Sequence, residues 1–114
     1  METLALRDFI NSGKLIGPRL LCSKTPIKAV GGHEPGYDVT GPYEARETAR
    51  RFLYEGADFL KVMITGGLGK VGEDPGVVEM ELLSLIHIFQ TAQTLIIGLN
   101  HVGAVQRHIR CVFF

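Results

Sequence analysis

Two residues of this 114-residue chain combine a type and a setting that suit chemistry. The first is Lys61, inside the run Gly56-Ala57-Asp58-Phe59-Leu60-Lys61-Val62-Met63-Ile64-Thr65-Gly66-Gly67. An apolar run of this length, bounded by turn residues, predicts a strand buried on both faces. A lysine is almost never fully buried unless something pairs with it or modifies it. Three readings account for one here. A desolvated amine gives up its proton more readily and then serves as a Schiff-base nucleophile. The neutral amine can instead take up carbon dioxide and become a carbamate, an anionic oxygen ligand able to bridge two metal ions. Or the side chain snorkels from a strand end beside Asp58 or another acid. The second residue is His33, which follows Gly31-Gly32 in a long loop. A histidine there can bind a metal, a substrate carboxylate or water.

The other chemistry-bearing residues form no self-contained site. His87, His101 and His108 lie near the C-terminus, and no HxH, HxxxH or HExxH spacing occurs. Gly67-Leu68-Gly69-Lys70 lacks the spacing of a phosphate loop. Cys22 and Cys111 have no metal or redox spacing, and Cys22 reads as a small core residue.

The elements that position Lys61 and His33 follow from periodicity and turn residues. Leu4, Leu6, Phe9 and Ile10 predict a helix within residues 2–12, stopped by Gly13. Ile16-Gly17-Pro18 predicts a turn, and Arg19-Leu20-Leu21-Cys22-Ser23 a buried strand. Residues 24–42 read as a loop, which at that length is functional or disordered. Pro42 opens a helix whose apolar face carries Ala45, Ala49, Phe52 and Leu53, and Gly56 stops it. A strand over Asp58–Ile64 follows, with Phe59, Lys61 and Met63 on one face and Leu60, Val62 and Ile64 on the other. A second glycine-rich loop runs from Thr65 to Gly76, and a helical pattern begins at Val77. The alternation predicts an α/β protein with parallel strands. Both long loops follow the C-terminal ends of strands, where ligands bind in barrels and open α/β sheets.

Composition sets the class and divides the chain. The 46% hydrophobic content builds a core, and zero net charge gives no electrostatic case for a nucleic-acid partner. The N-terminus lacks a signal-peptide pattern, no run reaches the roughly 18 apolar residues of a membrane span, and a cytoplasmic setting is the default. All 12 acids and all five prolines lie in residues 1–82, where ten bases leave a net charge of −2. Residues 83–114 hold only Arg107 and Arg110, a net charge of +2. At the acid density of the first part, roughly five acids belong in such a tail. A buried terminal helix loses its charges in this way. The alternative is that 83–114 is adapter-derived or out-of-frame, because Leu83-Ser84-Leu85-Ile86-His87-Ile88 reads like the translation of a transposon end used in preparing sequencing libraries.

Five pieces, in order, resemble the amidohydrolase superfamily, in its imidazolonepropionase-related and prolidase-like branch. They are Leu6-Arg7-Asp8-Phe9-Ile10-Asn11-Ser12-Gly13, Ile16-Gly17-Pro18-Arg19-Leu20-Leu21, Gly31-Gly32-His33, Glu55 to Met63, and Thr65-Gly66-Gly67. The resemblance covers residues 4 to about 82. It implies an α/β fold that is part of a (β/α)8 barrel, with about two strand–helix units in residues 1–82. It implies that Lys61 is the carboxylated ligand of a binuclear divalent metal centre, zinc by expectation, and that His33 stands on the substrate side. The implied reaction is hydrolysis of amide or related C–N bonds in a small-molecule or peptide-like substrate by a metal-activated hydroxide. The family's histidine pair belongs upstream of this chain, and its further histidines and aspartate belong downstream. A whole barrel takes about 250 residues, so the chain alone is expected to be inactive. Two other readings stand beside this one. Gly56 to Lys61 followed by Thr65-Gly66-Gly67 also resembles the Schiff-base strand of class I aldolases, with Lys61 as nucleophile. The third reading is a truncated α/β fragment with no function of its own, sticky at its strand edges.

Overall fold

The computed structural model describes residues 3–33, 35–68, 71–100 and 110–113, the side chains of 94–100 and 110–113 excepted. In chain order the elements are α1 (Thr3–Asn11), β1 (Ile27–Ala29), β2 (Tyr37–Val39), α2 (Pro42–Tyr54), β3 (Phe59–Val62), α3 (Leu82–Asn100) and β4 (Arg110–Phe113). The strands form one parallel sheet in the order β2-β1-β3-β4.

Helix α2 forms as its sequence predicts. Pro42 occupies the first turn after Gly41, where its missing N–H costs nothing. Glu44 reaches back to accept hydrogen bonds from the Thr40 hydroxyl (2.7 Å) and the Thr40 N–H (2.9 Å). These bonds hold its carboxyl below the usual glutamate range, the hydroxyl contributing most. Ala45, Thr48, Ala49 and Phe52 form the buried stripe. Gly56, at φ 97°, takes the left-handed turn that ends the helix and aims the chain into β3.

Helices α2 and α3 cover one face of the sheet. Ile27, Val39, Leu60 and Val62 from the strands meet Ala45, Ala49 and Phe52 of α2, with Ile88 and Ala92 of α3 completing the core. Ser84, Ile88, Thr91 and Ala92 are the buried line of α3, at the three- and four-residue spacing of one helix face.

Five expectations need correction. Residues 19–23 form no strand: Leu21 is 65% exposed, and only Cys22 is buried. The predicted loop 24–42 contains both β1 and β2. The seven residues between them are few for a parallel return, which ordinarily takes a dozen or more. They suffice because a three-residue strand rises only about 10 Å. The strand predicted over 58–64 is shorter, Phe59–Val62, and is fully buried only on its Leu60–Val62 face. The helix predicted from Val77 begins at Leu82. Residues 77–80 instead pair back on 64–66, through a Thr65–Val78 antiparallel bridge and hydrogen bonds from Gly66 N to Val77 O and from Glu79 N to Ile64 O.

Helix α1 ends at Asn11, two residues before Gly13, as expected. It is tied to the sheet by Arg7, which is 6% exposed. The Arg7 Nη1 donates to Asp58 Oδ2 (2.6 Å) and to the Gly56 carbonyl (2.6 Å). Asp58 Oδ2 also accepts the Cys22 N–H at 3.0 Å. One carboxylate therefore joins α1, the 19–24 segment and the start of β3. Asp8 also pairs with Arg7, at 2.8 Å, so losing Asp58 leaves the guanidinium one carboxylate and the Gly56 carbonyl. Asp58→Ala is expected to lower stability by about 1–3 kcal/mol in urea unfolding, and the double variant Arg7→Met/Asp58→Leu to recover part of that loss. An unchanged midpoint for Asp58→Ala would show that the pair does not hold α1.

Candidate functional site

The strands carry their charges on the face away from the helices. Ile27 of β1 stands opposite Val62 of β3, and both enter the core. The residues alternating with them, Lys28 on β1 and Phe59 and Lys61 on β3, belong to the other face. Asp38, opposite Lys28 on β2, shares that face. Lys61 is half-buried there, one residue from the C-terminal end of β3. A lysine on the helix face would displace Leu60 or Val62 from the core. On this face its amine needs only a partly polar setting.

Lys28 is a residue that sequence reasoning missed. It lies in a stretch read as loop, with no periodicity to mark it. Its side chain is 10% exposed, and Nζ stands 2.6 Å from Asp38 Oδ1. Nζ also donates to the Gly32 carbonyl at 3.3 Å. The ion pair thus links β1 to β2 and reaches the turn that leads to His33.

His33 stands four residues past the end of β1, at the C-terminal edge of the sheet. Its backbone N–H donates to Glu79 Oε2 at 2.7 Å. Its Nδ1 lies 2.9 Å from Glu73 Oε2, and the two side chains are 15% and 12% exposed. The imidazole rests on the backbone of Gly67: a Cβ there would fall 2.1 Å from the ring's Cε1. Gly67 is therefore required by the ring's close approach. Glu73 and Glu79 went unnoticed in the sequence because each lies at least 40 residues from His33. Lys61 and His33 both lie toward the C-terminal edge, on neighbouring strands β3 and β1.

A cavity of about 220 Å³ opens at this edge between Ala29, Val39, Gly41, Glu79 and Ser84. A larger one, about 590 Å³, lies where the strands begin, between Thr25, Tyr37, Phe52 and Glu55. Its cations are engaged, Lys24 with Glu55 and Arg51 over the Tyr37 ring at 4.6 Å. In open α/β sheets ligands bind at the carboxyl ends of the strands; the smaller cavity lies at that end and is lined by neither His33 nor Lys61, but it is bordered by Glu79, which accepts the His33 N–H.

Among the described residues no three His, Cys, Asp or Glu side chains stand close enough to hold a metal ion. They do not by themselves fit a binuclear metal centre. Also among the described residues, no helix is long and apolar enough to cross a membrane.

Removing either partner of the Lys28–Asp38 pair tests how the face is held. Asp38→Ala leaves the Lys28 ammonium without its carboxylate and is expected to cost about 1–3 kcal/mol in urea unfolding. Lys28→Met replaces the buried stem with an apolar one of similar length and is expected to cost less. The reverse order would show that the stem, and not the charge pairing, is what counts.

No family model matches the chain, and no curated protein matches it. Solved structures do. An amidohydrolase structure is 25% identical, with a TM-score of 0.73, over 81% of this chain and 28% of its own. A Xaa-Pro dipeptidase with methionine bound in its active site is 30% identical, with a TM-score of 0.70, over 81% of this chain and 27% of its own. A prolidase complexed with N-methylphosphonate-L-proline is 17% identical and shows the fold alone, with a TM-score of 0.78 over 99% of this chain and 29% of its own. The chain thus spans less than a third of the length of the structures it matches. In fold, and in sequence where identity reaches 25–30%, the chain belongs with the amidohydrolases and prolidases.

Proposed function

We propose that residues 4–82 serve in a metal-dependent hydrolase that cleaves amide or related C–N bonds, with Lys61 toward the metal and His33 toward the substrate. The observation that carries this reading is the 30% identity with a Xaa-Pro dipeptidase over 81% of the chain. The sheet, covered by helices on one face, suits an arc of a (β/α)8 barrel whose interior is the face bearing Lys61. On that face the Lys61 amine adds carbon dioxide, releases a proton and becomes a carbamate. A divalent metal pair, zinc in this reading, supplies an activated water when bound. Its other ligands come from the remainder of a longer protein, so the 114-residue chain alone is inactive. The substrate is a small peptide-like amide, of which Xaa-Pro dipeptides are the first to try.

The test uses a full-length protein containing this segment. It is expected to bind two divalent metal ions, to hydrolyse Xaa-Pro dipeptides, and to lose both properties with Lys61→Ala. A metal-free active protein, or a borohydride-trapped substrate imine on Lys61, would overturn the reading, and the imine would establish the aldolase chemistry in its place. In the same proposal residues 83–114 differ in origin from residues 1–82. The coding DNA is expected to carry the transposon-end codons at 83–88. A native genomic reading frame through Phe114 would remove that part.

A further inference from the structure

We propose that Glu73 is the positioning residue of His33, fixing which ring nitrogen faces chemistry. A carboxylate can only accept hydrogen bonds. The 2.9 Å contact between Glu73 Oε2 and His33 Nδ1 therefore places the proton on Nδ1. In the neutral ring Nε2 then carries the lone pair, because the bond made at one nitrogen sets the state of the other. Both side chains are mostly buried, at 15% and 12% exposure, where such a bond is less weakened by competing water.

Three further contacts keep the ring from turning away. Gly67 leaves a flat backbone surface beneath the imidazole, where any Cβ would overlap it. Glu79 takes the His33 backbone N–H at 2.7 Å. The same Glu79 carboxylate lies against Gly32, where a Cβ would fall 2.7 Å from Oε2. The loop after β1 and the long loop between β3 and α3 are thus closed on each other through one histidine. Glu79 is itself held by its backbone hydrogen bond to Ile64, immediately after β3. The groups that face His33 are consequently anchored to two neighbouring strands.

Resting on the hydrolase reading above, the consequence for substrate recognition is specific. Any bond that His33 makes at Nε2, one to a substrate N–H or O–H included, is then one in which the ring accepts and does not donate. Glu73 acts through His33 and touches no reacting atom.

The test is the tautomer of His33, read from the ring nitrogen resonances of the chain labelled with 15N-histidine, at about pH 8, above the ordinary imidazole range. The wild-type chain is expected to show a protonated Nδ1. Glu73→Ala removes the acceptor and is expected to shift His33 to the Nε2-protonated form that solvated histidines favour. Gly67→Ala, which displaces the ring with Glu73 intact, is expected to do the same. A purely structural Glu73 would leave the tautomer unchanged in a folded variant. A wild-type His33 without a protonated Nδ1, through an open loop or an unfolded chain, overturns the proposal, as does a Glu73→Ala chain that retains one. The outcome is separable from the hydrolase reading. Absent hydrolysis by a full-length protein removes the substrate role and leaves the tautomer result standing.

Discussion

The structure depends on a sheet that is dry on one side only. Helices α2 and α3 seal the face bearing Ile27, Val39, Leu60 and Val62. Side chains alternate strictly along a strand, so everything that cannot enter that core must go to the other face. Lys28, Asp38 and Lys61 do so. The alternation that builds the core therefore also gathers the charges. Lys28 and Asp38 face each other directly across β1 and β2 and neutralise one another at 2.6 Å. Asp38 stays 51% exposed, so water still reaches the pair and its desolvation cost is moderate.

The two ends of the sheet are held by different means. At the end where β3 begins, one carboxylate gathers Arg7, the Cys22 N–H and the start of the strand. These partners are 51 and 36 residues away in sequence, so the contact closes long loops that a short core does not close. At the end where the strands finish, His33 plays the corresponding part for the loops. In both places a hydrogen-bonded, mostly buried carboxylate does what an apolar cluster does elsewhere. The reason is geometric. Near the sheet's edges the helices no longer overlie the chain, and exposed apolar residues such as Ile16, Leu68 and Val71 have little to pack against.

Legibility in the sequence followed the length of the apolar pattern. Helix α2 shows three turns of clean periodicity with Pro42 and Gly56 at its ends, and the structure matches it within a residue. The faces of β3 were legible because Leu60 and Val62 alternate with Lys61. Strands β1 and β2 were not, because three residues make no period and each carries a charge, Lys28 or Asp38, in its middle. Arg19–Ser23 misled in the opposite way. Its apolar run looks like a strand, but Cys22 is tied to Asp58 by its N–H to the carboxylate and its carbonyl to the Asp58 N–H, and these two bonds build no strand. Hydrophobicity does not make a strand where no neighbour lies alongside. His33 was recognisable from the glycines before it, whereas Glu73 and Glu79 were not, since nothing local in a sequence announces a partner 40 or 46 residues away.

The placement of core and charges on opposite faces has a consequence for how such a segment can change. A substitution at Lys61 or Glu73 alters polar contacts without removing any side chain from the cluster of Ile27, Leu60, Val62 and Ile88. A substitution at Leu60 does the reverse, opening the core by about 2–5 kcal/mol for loss to alanine while leaving the loops' polar contacts in place. Lys28 belongs to both sides, because its stem is buried while its ammonium holds the Gly32 carbonyl beside His33. It is therefore the position where stability and the geometry of the candidate site are least separable. Gly32 and Gly67 add a constraint of a different kind: Gly67 is fixed by the ring that lies against it, and Gly32 by the Glu79 carboxylate together with the Ala29 carbonyl of its own turn. The two glycines, with the Glu79 carboxylate and the His33 ring that they accommodate, make the loop contacts mutually dependent, so that moving one side chain at this edge obliges the other loop to move with it.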